Sequence, residues 1–79
     1  MAHTRHMADS TLERWGKNVR AARRSACLSQ EQVAEALVVP QSTVSRWEGG
    51  KLEPGHHHKV ALAGVLGVAP IDLFPFEVT

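Results

Sequence analysis

Gln41, Ser42, Thr43, Ser45 and Arg46 bring an amide, three hydroxyls and a guanidinium together in one short stretch. Groups of this kind make the directional hydrogen bonds that read base edges in a nucleic-acid groove. Gln41 can pair bidentately with adenine, and Arg46 can take guanine or a phosphate. Ser42 and Ser45 can donate or accept, and the Thr43 methyl can touch thymine or the backbone. Val44 lies among them and Trp47 follows three residues on, at helical spacing. A helix over 41–48 therefore turns the polar groups outward and its apolar side toward a core.

The residues just before supply the support. Val33, Ala34 and Leu37 repeat the helical period and share one face. The intervening Val38-Val39-Pro40 is too short for a linker. Pro40 has no amide hydrogen and biases Val39 toward extended backbone, so one helix must stop and another can start. Two short helices joined by a tight turn form a helix-turn-helix, with the small Ala34 where they would cross.

Ser29-Gln30-Glu31-Gln32-Val33-Ala34, Gln41-Ser42-Thr43-Val44-Ser45-Arg46-Trp47-Glu48, Gly50-Lys51 and Pro54 resemble the Cro/repressor-type (Xre-like) helix-turn-helix proteins. The resemblance runs on through Leu62-Ala63 and Leu66-Gly67-Val68 to Leu73-Phe74. It implies an all-α, compact five-helix, lambda-repressor-like DNA-binding domain whose third helix enters the major groove. It further implies base contacts from Gln41, Ser42, Thr43, Ser45 and Arg46, and phosphate contacts from Gln30, Arg23 and Lys51. Gln30 would also brace Gln41, and Arg23 would form an ion pair with Glu48. Three positions depart from the family pattern. Val38 and Cys27 stand where the family often has glycine in a left-handed backbone, and Pro40 stands where a serine cap is frequent.

Seventy-nine residues allow one domain with one small core. Strand signals are nearly absent: there is no Tyr, no sustained alternation and no Asn-Gly or Asp-Gly turn. Stability should be modest, and a second copy would help. The single cysteine excludes an internal disulfide and a thiolate-rich zinc set, as suits a cytoplasmic protein. The uncharged run from Val60 to Ile71 contains Gly64, Gly67 and Pro70 and is too short to cross a bilayer. The opening residues do not read as a secretory signal.

Net charge is only +1, but it is unevenly spread. Residues 1–29 hold Arg5, Arg14, Lys17, Arg20, Arg23 and Arg24 against Asp9 and Glu13. The remainder holds Arg46, Lys51 and Lys59 against Glu31, Glu35, Glu48, Glu53, Asp72 and Glu77. This could give a phosphate-facing side and an acidic back, although charge by itself fits ordinary solvation of a small domain better.

Along the chain, residues 1–8 lack periodicity and are expected to be disordered, with His6-Met7 fitting a cloning scar. The domain itself should span 9–75. Ser10 to Glu13 reads as a capping box opening a helix whose stripe is Leu12, Trp15, Val19, Ala22 and Ala26. Ser29 and Gln32 form a second capping box. Gly49-Gly50 ends the third helix. A fourth helix should cover 55–66, capped by Gly67, and a short fifth should follow from Pro70. Residues 76–79 form a short tail, and Phe74, Phe76 and Val78 are expected to leave apolar surface for association.

His56, His57 and His58 are adjacent, so on a helix they point in different directions and cannot close one metal site. No catalytic constellation appears: there is no phosphate-cradling glycine loop, nucleophile elbow or HExxH pair. The chain is expected to be no enzyme and to need no cofactor or metal. Its expected partners are double-stranded DNA carrying a palindromic operator and a second copy of itself. The expected activity is transcriptional regulation, as a repressor. An antitoxin that also binds a toxin, and an interaction module that keeps the fold without DNA binding, are the alternatives.

Overall fold

The computed structural model describes the backbone of residues 2–75 and the side chains of residues 11–75. Its helices are α1 (Ala2–Ser25), α2 (Gln30–Leu37), α3 (Gln41–Glu48), α4 (His56–Leu66) and α5 (Pro70–Leu73). No strand occurs among the described residues. The tail at 76–79 lies outside them.

The start of α1 differs from expectation. The helix begins at Ala2, so Ser10 is an interior helical residue and not a cap. No glycine or proline interrupts 2–15, and adding residues to an existing helix carries no new nucleation cost. At its other end α1 stops at Ser25, which leaves Ala26 exposed and outside the apolar stripe.

The core is built from one stripe of each helix. Trp15 and Val19 of α1 meet Val33 and Ala34 of α2, Val44 and Trp47 of α3, Leu62, Ala63 and Leu66 of α4, and Leu73 of α5. Phe74 is also part of this core, only 2 % exposed, with its ring edge-on to Trp15 at 5.6 Å. It therefore contributes no association surface, contrary to expectation. A bulky aromatic gains more by closing the base of a small core than by facing water. The indole Nε1 of Trp15 donates to the Pro75 carbonyl at 2.9 Å, and Asn18 Nδ2 donates to the Leu73 carbonyl at 3.0 Å. These bonds tie the end of the domain to α1.

The caps follow local chemistry. Ser29 Oγ accepts from the Gln32 amide at 3.0 Å, and Gln32 Oε1 accepts from the Ser29 amide at 2.8 Å. Gly55 precedes α4, and Gly67 closes it with φ 72°. Pro70 opens α5, where Asp72 Oδ2 accepts from the Ala69 amide at 3.2 Å.

Cys27 and Val38 both hold the left-handed backbone, with φ of 60° and 57°. The turns keep the geometry although neither has glycine. A left-handed residue with a Cβ costs about 1–2 kcal/mol, and Val38, 89 % exposed, recovers almost nothing by burial. Val38→Gly is therefore expected to raise unfolding free energy by about 1 kcal/mol, less than the full strain because glycine also loosens the unfolded chain. Urea denaturation checks this; an unchanged or lower midpoint would show that Val38 is unstrained.

Candidate nucleic-acid interface

α3 is anchored by Val44, fully buried, and Trp47, 3 % exposed. Its other side carries Gln41, Ser42, Ser45 and Arg46, all exposed, with Thr43 half-buried. Pro40 stands at the N-cap without a side-chain cap, and its carbonyl accepts from the Thr43 amide at 3.0 Å. The helix closes through Gly50, at φ 71°, and the Lys51 amide donates to the Arg46 carbonyl at 2.9 Å. Lys51 is exposed just past this turn. The result is a polar strip of helix with a lysine at its end, held from behind by apolar packing.

Behind the strip lies a buried carboxylate. The Glu48 side chain has no exposure, and that of Arg23 is 12 % exposed. Arg23 Nε donates to Glu48 Oε2 at 2.6 Å and its second terminal nitrogen to Oε1 at 3.2 Å. The remaining Arg23 nitrogen donates to the Leu28 carbonyl at 2.9 Å. Arg20 Nε reaches Oε1 at 3.4 Å, and Gln30 Nε2 reaches it at 3.0 Å. Burial alone would push the Glu48 carboxyl up. The hydrogen bonds from Arg23 and Gln30, the Arg23 charge and the Arg20 bond outweigh it, and the carboxyl sits below its ordinary value. The hydrogen bond to Glu48 correspondingly raises Arg23, against a smaller opposing effect of burial.

Gln30 stands between this pair and the polar strip. Its Oε1 accepts from Gln41 Nε2 at 3.4 Å, a long bond on the exposed side. The structure thus joins Arg23, Glu48, Gln30 and Gln41 in one polar chain. It does not hold Arg23 out toward solvent: every guanidinium nitrogen faces Glu48 or Leu28. These bonds engage three of the five N–H groups of the guanidinium.

Three residues carry weight that sequence reasoning missed. Arg20 lies one turn before Arg23, over the same carboxylate, with half its side chain exposed; the three-residue spacing was the available signal. Gly16 lies where α1 meets the end of α3. A Cβ there would come within 2.4 Å of the Glu48 carbonyl oxygen and 2.7 Å of that of Trp47. Lys59 is 4 % exposed, with Nζ 2.8 Å from Glu53 Oε2 and 4.5 Å from the Trp15 ring centroid. Its place directly before the apolar stretch of α4 was its only sequence signal.

The histidines do not converge. His58 lies against Trp47, ring centroids 5.2 Å apart, and His57 lies against His58 at 4.1 Å. Among the described residues no group of three or more His, Cys, Asp or Glu could hold a metal ion. No helix among them is long and apolar enough to cross a membrane.

A family model described as helix-turn-helix matches residues 19–73. The chain belongs to this helix-turn-helix family, of the Cro/repressor type. Its five-helix fold is similar to that of the restriction-modification controller protein C.AhdI from Aeromonas hydrophila. The two share 29 % sequence identity with a TM-score of 0.77, over 82 % of this chain and 98 % of that one. Comparison with curated proteins finds no match. As a helix-turn-helix protein of this type, the chain is a DNA-binding transcriptional regulator.

Proposed function

We propose that this helix-turn-helix protein represses transcription by binding a palindromic operator as a homodimer, with α3 in the major groove. The observation that carries the reading is the exposed strip of Gln41, Ser42, Ser45 and Arg46 on a helix fixed by buried Val44 and Trp47. In this reading Gln41 takes an adenine, Arg46 a guanine or phosphate, and Ser42, Thr43 and Ser45 complete the base-edge contacts. Gln30, Arg23 and Lys51 position the duplex through its phosphates, with the half-exposed Arg20 beside them. The setting is the cytoplasm, where such an operator is accessible. Similarity to C.AhdI favours control of a restriction-modification locus.

Dimerisation is supported by two features. A single module of this size buries too little surface for tight, specific binding. Val60 and Ile71, on α4 and α5, are 51 % and 71 % exposed within a run that carries no charge. A twofold interface places such a patch against itself.

Two substitutions separate reading from positioning. Gln41→Ala is expected to cost about 1–3 kcal/mol on the cognate site and to relax preference at one base pair. Lys51→Ala should weaken all duplexes alike. Fluorescence anisotropy on the cognate site and its single-base variants measures both. Equal, sequence-blind losses from the two would refute the assigned roles.

A further inference from the structure

Gln41 can offer a base two different faces. With its NH2 turned to Gln30, it keeps one N–H and its carbonyl oxygen for the groove. That donor–acceptor pair matches N7 and N6 of adenine. With its carbonyl turned to Gln30 instead, it presents only donors, which match the N7 and O6 acceptors of guanine. The two ends of an amide have nearly the same shape, so something other than packing must choose between them.

The choice is made behind the helix. An ionised carboxylate only accepts, and Glu48 is enclosed by Arg23 at 2.6 Å and 3.2 Å. Gln30 must therefore turn its NH2 toward Glu48 Oε1, 3.0 Å away. Its carbonyl is left facing Gln41, whose NH2 then points back to it at 3.4 Å. We propose that Glu48, acting through Gln30, is a specificity-determining positioning residue that sets the amide polarity of Gln41 and so selects adenine over guanine. The proposal rests on the reading role of Gln41 given above.

The experiment measures affinity for duplexes carrying adenine or guanine at the base pair that Gln41→Ala identifies. Two variants cut the relay at different points. Gln30→Met removes the relaying amide. Arg23→Met with Glu48→Met removes the fixed acceptor and leaves no buried charge unpaired. Wild type should prefer adenine by about tenfold, and both variants should fall to within about twofold. Any loss of binding to unrelated duplexes reports the phosphate contacts given above; the relay is read from the adenine-to-guanine ratio alone. Full retention of the adenine preference in Gln30→Met overturns the proposal, and that variant decides alone if the double variant does not fold. A loss that is equal on the adenine and guanine duplexes also overturns it, since Gln30 would then serve only the backbone. Failure of Gln41→Ala to alter base preference overturns both the relay and the reading role. Loss in Gln41→Ala with retention in Gln30→Met overturns the relay alone.

Discussion

Arg23→Met and Glu48→Met, made singly, are each expected to cost about 3–5 kcal/mol of folding stability. An exposed pair would be worth only about 0–1 kcal/mol. The choice between these magnitudes rests on burial: Glu48 is sealed from solvent and Arg23 nearly so. Removing either partner strands a charge in the interior. Removing both replaces the pair with apolar groups, so the double variant should lose much less than the sum of the single losses. A double-mutant cycle by chemical denaturation reads the coupling directly, and strictly additive losses would show that the pair contributes nothing as a pair.

The same carboxylate sets an acid limb. Because the folded protein holds the Glu48 carboxyl below its ordinary value, its contribution is present above the unfolded value of about 4.3. It is lost as the pH falls from there through the folded value. Stability should therefore drop in acid more steeply in wild type than in the Arg23→Met, Glu48→Met variant. Parallel acid limbs would place the titrating group elsewhere.

Gly16→Ala sets two effects of opposite sign against each other. Inside a helix, alanine is favoured over glycine by about 1 kcal/mol. The new Cβ would meet the backbone carbonyls of Glu48 and Trp47 at 2.4 and 2.7 Å. Backbone cannot rotate away as a side-chain tip can, so α1 and the end of α3 must separate. Overpacking of this kind costs about 1–3 kcal/mol and sometimes more. Because both contacts are with backbone, the upper end applies, and a net loss of about 2 kcal/mol is expected, together with weaker binding to the cognate site because α3 is displaced. Gly16→Ala at or above wild-type stability would mean that propensity decides and that the close approach is not required.

The helix-turn-helix was legible because its signals are local. The apolar period of Val33, Ala34 and Leu37, the break at Pro40 and the polar run from Gln41 are all visible along the chain. Ser29 and Gln32 were equally readable as a cap. The start of α1 was not. Ser10 and Glu13 have the spacing of a capping box, but the preceding residues contain no breaker, and propagation overrides a local cap signal. Gly16 in isolation reads as a helix-weakening residue, and its use appears only when α3 crosses it. Phe74 and Lys59 were misplaced or overlooked because their neighbours, Trp15 above all, come from the far end of the chain. The inward commitment of Arg23 depends on hydrogen-bond directions, which residue order does not carry.

Sequence-specific binding is tested most directly by titrating the wild-type protein against a duplex selected from random DNA and against a scrambled duplex, at several salt concentrations. The selected duplex should bind tighter by about 10³-fold or more at physiological salt. With about six phosphates neutralised per dimer, log K should fall with log salt at a slope of about −5. Equal affinity for the two duplexes at every salt concentration would contradict the assignment of α3 as a base-reading helix.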